Sequence, residues 1–507
     1  MLILMLIVLI LGLSLRYGVN HFGNISFSEI VFTLNMPMVG ADSQYFKSYF
    51  YEVLIPIAAC LVIFFLGWKR EWRKCKLNIV AFGKRKNIIL FPLRYNLTLY
   101  TVFSLCLLGI IVVCANSEFA LFDYIKNQMQ TSSFIEENYI KPENNLLRFP
   151  EEKRNLVWIY MESAETTFQD EQNGGMMEYN LIPEMTKLAE ENISFSQTDK
   201  ISGAAVAPAC GWTIAGLVAQ TSGLPLKLFS YGGDVDNSMD KYSYFMPGAI
   251  SLGEILENEG YHNVFMAGSD FDFGGRTNYF SQHGNYEIID CKADKKDSLP
   301  EEYKSGWGMN DYKLYIDAKE EILKLAESEQ PFNLSLITVD THAGSRHECK
   351  LCKHNYENIY WNTWNCASKQ VYDFVQWMKE QDFYENTTII ITGDHCSMET
   401  DFLNIEKLNN YDKHNGGTTR KVYNAIINSA VTVSNENMKN REFTTLDYFP
   451  TALASLGVEI EGNRLGLGTN LFSGEKTLAE QYGYTYYMDE LGKKSVFYDN
   501  TILYSEN

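Results

Sequence analysis

Two apolar runs that end in metal-binding side chains constrain the fold of this chain more than any other feature. Residues 155–162 read NLVWIYME and end at Glu162, and residues 387–395 read TTIIITGDH and end at Asp394 and His395. Near-continuous apolar runs of this length are typical of strands in parallel sheets, which are buried on both faces. Open α/β sheets bind ligands at the carboxyl ends of their strands. We therefore expect these three side chains to converge in one crevice.

Beyond residue 154, apolar strands alternate with amphipathic stretches. Further strands are predicted at 262–267, 332–339 and 424–433, and helices at 183–192, 311–328, 356–379 and 446–456. This alternation predicts an α/β fold, with a mainly parallel sheet and helices on both faces.

The first 115 residues have a different composition. Residues 1–15, 53–68 and 97–115 are apolar, and we interpret them as the transmembrane helices of an α-helical anchor. The first run is short against the roughly 20 residues that a helix needs to cross a bilayer. The alternative for it is a signal-peptide core, although a basic amino-terminal region and a clear cleavage site are missing.

The loop at 69–94 predicts the orientation of the anchor. It carries nine basic residues and one acidic residue, Glu71, and positively charged loops stay in the cytoplasm. The protein is therefore predicted to be a multi-pass protein of the cytoplasmic (inner) membrane. We expect an anchor at 1–115, a linker at 116–153 and a domain at 154–507 that lies in the periplasm or on the outer face of the membrane.

The charge of the chain excludes one class of partner. Its formal net charge is -20, whereas proteins that neutralise nucleic-acid phosphates need clustered Lys and Arg. We expect a membrane partner and no nucleic acid.

A hydroxyl is predicted at a helix amino terminus within residues 203–225. There a loop of small residues, GAAVAPACGW, runs into a helix-like stretch that starts at about Thr213. A helix amino terminus presents free N–H groups and a positive dipole end to an anion. The alternative reading is a threonine that only caps the helix.

Several segments together resemble the phosphoglycerol transferase I family, whose members decorate periplasmic glucans. The segments are NLVWIYMESAE, GWTIAGLVAQTSGLPL, DTHAGS, TGDHCSM and LDYFPTALASLGVEIEGNRLGLGTNLF, in the order of the family. The likeness runs from about residue 155 to residue 482. It extends more distantly to lipoteichoic acid synthases, and it implies the alkaline phosphatase and sulfatase fold.

The resemblance implies site roles for particular residues of this chain. It makes Glu162, Thr213, Asp394 and His395 the ligands of one divalent cation, and Thr213 the nucleophile. It also places His342 at the phosphate or the departing oxygen, Arg276 at the phosphoglycerol, and Trp307 in a family block of the substrate site. His342 suits proton transfer because the usual pKa of histidine lies near the working pH.

The donor set indicates the cation, and the resemblance indicates the reaction. Oxygen donors with one imidazole favour Mn²⁺, with Zn²⁺ or Mg²⁺ as alternatives. The implied reaction moves glycerol phosphate from phosphatidylglycerol to a hydroxyl of a cell-surface or periplasmic glycan. It proceeds through a phosphothreonine-type intermediate and releases diacylglycerol.

Three other functions are compatible with the same fold. A phosphoethanolamine transferase would use the same threonine on a different lipid. A sulfatase is disfavoured because its modified nucleophile needs Cys or Ser followed by x-Pro-x-Arg, whereas Cys210 is followed by Gly-Trp-Thr. A binding platform without catalysis is disfavoured because the implied ligands and the nucleophile are all present.

The cysteines after the anchor form an even set in an oxidising compartment, where disulfides are expected. They are Cys210, Cys291, Cys349, Cys352, Cys366 and Cys396. Cys349 and Cys352 form a C-x-x-C motif that is compatible with zinc or redox chemistry, and Cys366 is an equally good partner for either. We favour a structural staple in a loop, with its connectivity open.

Overall fold

The computed structural model describes residues 2–22, 25–35, 43–69, 76–81, 84–89, 93–227, 244–344, 347–399 and 420–503. The chain divides into two compact units. The first comprises Met1–Asn24 and Asp42–Phe122, and the second comprises Ile25–Ala41 and Asp123–Asn507.

The first unit is built from apolar helices and one hairpin. Its helices are Leu2–Phe22, Ser43–Tyr49, Ile55–Lys69 and Leu93–Phe119, with a π-helical turn at Phe50–Leu54. The antiparallel hairpin Lys76–Ala81 and Lys84–Ile89 lies within the predicted cytoplasmic loop. Stretches at Ile3–Phe22, Gln44–Val62 and Thr101–Phe119 are long and apolar enough to cross a membrane.

All three candidate spans differ from their predicted bounds, and the third is Thr101–Phe119 rather than 97–115. The first apolar run stops before Arg16, but the helix that contains it continues to Phe22 and is therefore long enough to cross a membrane. The second span begins at Gln44 rather than at Val53. Polar side chains of the first two stretches form hydrogen bonds within the unit. The Tyr17 hydroxyl, for example, lies 2.7 Å from Ser48 Oγ.

The second unit is organised around a six-stranded sheet. We number its strands β1 (Asn155–Met161), β2 (His262–Ala267), β3 (Glu287–Ile289), β4 (Phe332–Ile337), β5 (Thr387–Gly393) and β6 (Asn424–Ile427). Their order is β3-β2-β4-β1-β5-β6, with β6 antiparallel at the edge and all other pairs parallel. The predicted mainly parallel α/β sheet is therefore confirmed.

Helices pack on both faces of this sheet. The longer ones are Pro183–Glu191, Thr213–Ser222, Leu252–Asn258, Arg276–Gln282, Asp311–Ala326, Ile359–Lys379 and Tyr448–Ser455. The chain also has shorter helices at Phe27–Asn35, Leu121–Met129, Phe134–Asn138, Ala293–Ser298, Asn435–Met438, Leu478–Tyr482 and Tyr484–Gly492. Small ladders join Leu147–Arg148 to Glu459–Ile460 and Arg464–Leu465 to Gly468–Thr469.

Strand β1 shows why the sheet is buried on both sides. Leu156, Trp158 and Tyr160 belong to one hydrophobic core, and Val157 and Ile159 belong to the other. A strand that faces two cores must be apolar at successive positions. This explains the uninterrupted run in the sequence.

Two segments end or pack differently from their predictions. The strand predicted at 424–433 ends at Ile427, because Asn428 takes a left-handed conformation with φ of 54°. Its side-chain amide donates to the carbonyl oxygens of Tyr384 and Thr387. Within the predicted linker, Phe134 and Ile135 are 3% and 1% exposed and join the core of the second unit.

Candidate active site

Adjacent strand ends bring the three predicted ligands together. Met161 of β1 pairs with Gly393 of β5 in parallel register, so the next residues, Glu162 and Asp394, leave the sheet side by side. His395 Nε2 lies 3.5 Å from Glu162 Oε1 and 3.4 Å from Asp394 Oδ2. One ligand atom from each residue lies within 4.8 Å of the other two, and all three side chains are buried.

Thr213 joins this cluster from the first turn of its helix. The helix begins at Thr213, as predicted. The threonine Oγ1 lies 3.5 Å from both Glu162 Oε2 and His395 Nε2. Gly216 permits this approach, because a Cβ at that position would lie 2.2 Å from the carbonyl oxygen of Asp394.

Hydrogen bonds fix the orientation of each ligand. The backbone N–H groups of Ser163 and His395 both donate to Asp394 Oδ1 at 2.8 Å. Ser163 Oγ donates to Glu162 Oε1 at 2.7 Å, and Ser163 takes a left-handed backbone with φ of 60°. A strained non-glycine residue beside a cluster of this kind is typical of a functional site.

The cluster brings two buried carboxylates together, and their negative charges change the pKa values of its members. Burial and the neighbouring charge of Glu162 raise the pKa of Asp394 to about 7. Burial would lower the pKa of His395, but the carboxylates of Asp394 and Glu162 outweigh it and raise that pKa to about 9. A proton on the imidazole therefore compensates the buried negative charges.

A divalent cation fits this donor set. Asp394 Oδ2 is buried and has no hydrogen-bond partner among the described residues. The Nδ1 atom of His395 lies 2.8 Å from the carbonyl oxygen of Cys396, which assigns the proton to Nδ1 and leaves Nε2 as the donor to a cation. Glu162, Asp394 and His395 would hold the cation, with Thr213 Oγ1 beside them.

The structure also brings His342, Trp307 and Arg276 toward this cluster. The rings of His342 and Trp307 lie 4.5 Å apart between centroids. The charge of His342 interacts with those of Glu162 and Arg276, while burial lowers the pKa of His342.

Arg276 is 6% exposed and is held by its own loop. Its Nε donates to the Phe273 carbonyl oxygen at 3.0 Å and its Nη2 to that of Asp270 at 2.7 Å. The guanidinium carbon lies 5.1 Å from the centre of the Phe271 ring. Burial lowers the pKa of Arg276 to about 10, so the side chain remains charged at neutral pH.

A buried carboxyl beside the cluster was missed by the sequence reasoning. Glu29, on the short helix Phe27–Asn35, is 8% exposed. Burial raises its pKa to about 8, and its charge interacts with those of His395 and Glu162. On the same helix, the ring of Phe32 lies 5.1 Å from that of Trp212, the residue before Thr213. Nothing in the local sequence of this helix indicates the contact.

A second missed feature joins the loops that follow β1 and β5. Arg420 donates to both carboxylate oxygens of Glu165 at 2.8 and 2.7 Å, and to the carbonyl oxygen of Ser397 at 2.5 Å. Bidentate pairs of this kind fix geometry as well as charge. The pair stabilises the ends of the strands that carry Glu162 and Asp394.

The described cysteines are thiols rather than disulfides. Cys210 is fully buried, and burial raises the pKa of its thiol. A neutral, buried thiol is a poor nucleophile. The sulfatase nucleophile that was disfavoured on sequence therefore has no support at this position.

The matched family is consistent with this architecture. Residues 154–458 match the family described as Sulfatase. The chain belongs to the Sulfatase family.

Two relatives of this chain carry the same name. Phosphoglycerol transferase I of Xanthomonas euvesicatoria pv. vesicatoria (strain 85-10) is 32% identical over 273 residues, which cover 52% of this chain and 37% of that protein. Phosphoglycerol transferase I of Escherichia coli (strain SMS-3-5 / SECEC) is 29% identical over 332 residues, which cover 64% of this chain and 40% of that protein. The chain thus matches about two fifths of the length of these relatives.

Among solved structures, the chain is similar to the lipoteichoic acid synthase LtaP from Listeria monocytogenes. The two have a TM-score of 0.48 and 17% sequence identity, and the match covers 68% of this chain and 82% of that one.

Proposed function

We propose that this chain is a membrane-anchored, metal-dependent phosphoglycerol transferase. It would move glycerol phosphate from phosphatidylglycerol to a hydroxyl of a cell-surface or periplasmic glycan and release diacylglycerol. The observation that carries the proposal is the position of the Thr213 hydroxyl, 3.5 Å from both Glu162 and His395 at the first residue of a helix. The relatives named phosphoglycerol transferase I support the choice of transferred group.

Thr213 is the proposed nucleophile. When bound, a divalent cation, Mn²⁺ before Zn²⁺ or Mg²⁺, would lower the pKa of the hydroxyl and polarise the phosphoryl oxygens. Thr213 Oγ1, whose proton has been released to solvent, attacks the phosphorus of the lipid head group, the bond to the diacylglycerol oxygen breaks, and a phosphoglycerol-threonine forms. In the second step Thr213 leaves the phosphorus again without that proton. The N–H groups at the start of the helix stabilise the phosphoryl charge.

His342 is the proposed proton carrier. Burial lowers its pKa, so it rests in the neutral form, and an incoming phosphodiester anion raises that pKa again. Protonated His342 donates to the departing diacylglycerol oxygen. It then accepts the proton of the acceptor hydroxyl, which attacks the phosphorus and breaks the bond to Thr213. The net transfer moves one proton from the acceptor to diacylglycerol.

Arg276 is proposed to bind the donor, and Trp307 is proposed to line the substrate site beside His342. Arg276 is a buried cation whose charge interacts with the carboxylates of the cluster, so it can offset the charge of a phosphodiester there. Trp307 packs against His342 and Phe273, with ring centroids 4.5 and 5.3 Å away, and so orients the imidazole.

The apolar helices support a membrane location for the donor. Three stretches are long and apolar enough to cross a bilayer, and a phosphatidylglycerol head group lies at its surface. We propose that the second unit works on the extracytoplasmic side of the inner membrane, because the basic loop at 69–94 favours the cytoplasm.

Incubation of the full chain in lipid vesicles with head-group-labelled lipids tests the proposal. We expect diacylglycerol release from phosphatidylglycerol that needs a divalent cation. Release from phosphatidylethanolamine instead would contradict the proposed donor and support a phosphoethanolamine transferase. Release from neither lipid would contradict both.

A further inference from the structure

A cluster of thiols lies outside the site described above. Sγ of Cys349 is 3.7 Å from Sγ of Cys366 and 3.9 Å from Sγ of Cys352, and all three sulfur atoms lie within 4.8 Å of one another. Cys349 and Cys366 are 6% and 7% exposed. We propose that these cysteines form a second cation site, a structural zinc site of three thiolates.

The sulfur geometry suits a cation better than a disulfide. Tetrahedral zinc with Zn–S bonds of about 2.3 Å has sulfur-to-sulfur edges of about 3.8 Å, close to the separations of Cys349 Sγ from the other two sulfur atoms. A disulfide would bring two sulfur atoms to about 2.05 Å and leave the third as an unpaired thiol in contact with it, where it would exchange. A single cation uses all three sulfur atoms at once.

Hydrogen bonds to the sulfur atoms point the same way. The backbone N–H of Leu351 donates to Cys349 Sγ at 3.4 Å, inside a turn in which the Cys352 N–H donates to the Cys349 carbonyl oxygen at 3.0 Å. The side-chain amide of Gln370 donates to Cys366 Sγ at 3.3 Å and to Cys349 Sγ at 3.8 Å. Donors aimed at sulfur stabilise thiolates and orient them as metal ligands.

His347 would have to move to become the fourth ligand, because its ring nitrogens do not lie within 4.8 Å of all three sulfur atoms. It precedes Cys349 by two residues, and its Nε2 is buried without a hydrogen-bond partner in the part of the chain that the structure describes. Three cysteines and one histidine are a common ligand set of closed structural zinc sites.

The position of the cluster indicates what the cation would stabilise. Cys366 lies on the helix Ile359–Lys379, whereas Cys349 and Cys352 lie in the loop that connects this helix to His342. The helix already holds that loop at Tyr360, whose hydroxyl donates to the Thr341 carbonyl oxygen at 2.8 Å. A bound cation would add a second anchor between the helix and the loop of His342.

Cobalt substitution separates this site from the one at Asp394. The full chain in detergent is stripped of metal, loaded with Co²⁺ and examined for the near-ultraviolet charge-transfer absorption of thiolate-bound cobalt. We expect the band in the wild type and in Asp394→Asn, and its loss in Cys366→Ser. Cys291→Ser, which removes a buried thiol outside the cluster, should keep the band. A wild type without the band, or a band that survives in Cys366→Ser, would overturn the proposal.

Two measurements guard against other readings. Because Cys366→Ser removes a buried side chain and can misfold, Cys352→Ser, at the half-exposed position, is measured with it and should also lose the band. Thiols are then alkylated in protein isolated without reductant, before and after chelation in denaturant. All three cysteines should react once the metal is removed, whereas a disulfide among them would overturn the zinc site.

Discussion

The Glu162, Asp394 and His395 cluster and the thiol cluster both gather three metal-binding side chains, but they are assembled in different ways. Thiol sulfur atoms come from one stretch of 18 residues, from Cys349 to Cys366. Glu162 and Asp394 are 232 positions apart and meet only because β1 and β5 pair in register. The cluster of Glu162, Asp394 and His395 therefore depends on the pairing of two strands that are distant in the sequence. The thiol cluster depends only on one loop and the helix that follows it.

The two clusters also differ in their donor atoms, which suit a catalytic site at Asp394 and a structural site at the thiols. Oxygen and nitrogen donors form a site for a hard cation, and the hydroxyl beside them is a candidate nucleophile. Phosphoryl transfer with a bound metal ion uses both. Three sulfur donors suit a zinc ion that stabilises the fold around it. The following predictions test that contrast.

Removing the nucleophile should have the largest effect. Thr213→Ala is expected to lower diacylglycerol release by roughly 10³-fold or more, since nucleophile loss removes the covalent step. Thr213 Oγ1 makes only contacts of 3.5 Å in the cluster, so the variant should remain folded and bind metal. Initial rates with labelled phosphatidylglycerol measure the effect.

A matched control lies on the same helix. Thr221→Ala removes a hydroxyl that bonds to Leu217 and Tyr279, and it should reduce stability by about 1 kcal/mol while turnover continues. Equal turnover losses in the two variants would mean that the helix is fragile and that Thr213 has no chemical role.

Removing the proton carrier should come next. His342→Gln is expected to slow turnover by roughly 10² to 10⁴-fold, the usual range for general acid–base catalysis. Metal content at the Asp394 cluster should not change. The pH profile of the residual rate should lose the limb that reports the histidine, and its retention would point to another proton carrier.

The pH dependence of metal binding should distinguish the two clusters. Without a cation, the carboxylates raise the pKa of His395 to about 9, so the cation must displace a proton at neutral pH. Affinity should therefore rise about tenfold per pH unit up to about pH 9 and then level off. Below about pH 7, where Asp394 also takes up a proton, the slope should be steeper.

Calorimetric titration of the metal-free chain checks this, in buffers of different ionisation enthalpy. Cys366→Ser serves as the background, so that only the Asp394 cluster is observed. Affinity that does not vary between pH 7 and pH 9 would show that no proton leaves His395.

Disturbing the contact between the helix of Thr213 and the end of β5 should have the smallest effect. Only the cluster at Asp394 should respond. Gly216→Ala places a Cβ against the Asp394 carbonyl oxygen at 2.2 Å, so the helix must shift and unfolding should become easier by roughly 1 to 3 kcal/mol. Gly211→Ala, whose Cβ would meet Val206 at 3.8 Å, is the control and should be nearly neutral. Thermal unfolding, metal content and turnover are compared, and cobalt absorption from the thiol cluster should be unchanged in both.

The sequence predicted well what depends on strand burial. The run from Leu156 to Met161 is apolar at each position because β1 faces two cores, and its end at Met161 put Glu162 in the right place. Thr213 was also predicted at the start of its helix. The convergence of Glu162, Asp394 and His395 followed from the rule for strand ends, which does not need the identity of the neighbouring strand.

Other features could not be predicted because they depend on contacts without a local pattern. Glu29 lies next to the cluster through the packing of Phe32 on Trp212, and nothing near Glu29 in the sequence indicates that partner. β6 ends early because Asn428 takes a left-handed backbone, although apolar residues recur as far as Val433. The C-x-x-C motif was visible, but the positions of three sulfur atoms at similar separations appear only in three dimensions.

Trapping the covalent intermediate tests the central claim most directly. The full chain would be mixed with phosphatidylglycerol without acceptor, quenched, digested and analysed by mass spectrometry. We predict a glycerol phosphate adduct on Thr213 that disappears when acceptor is added. An adduct on another residue, or diacylglycerol release that continues in Thr213→Ala, would contradict the account.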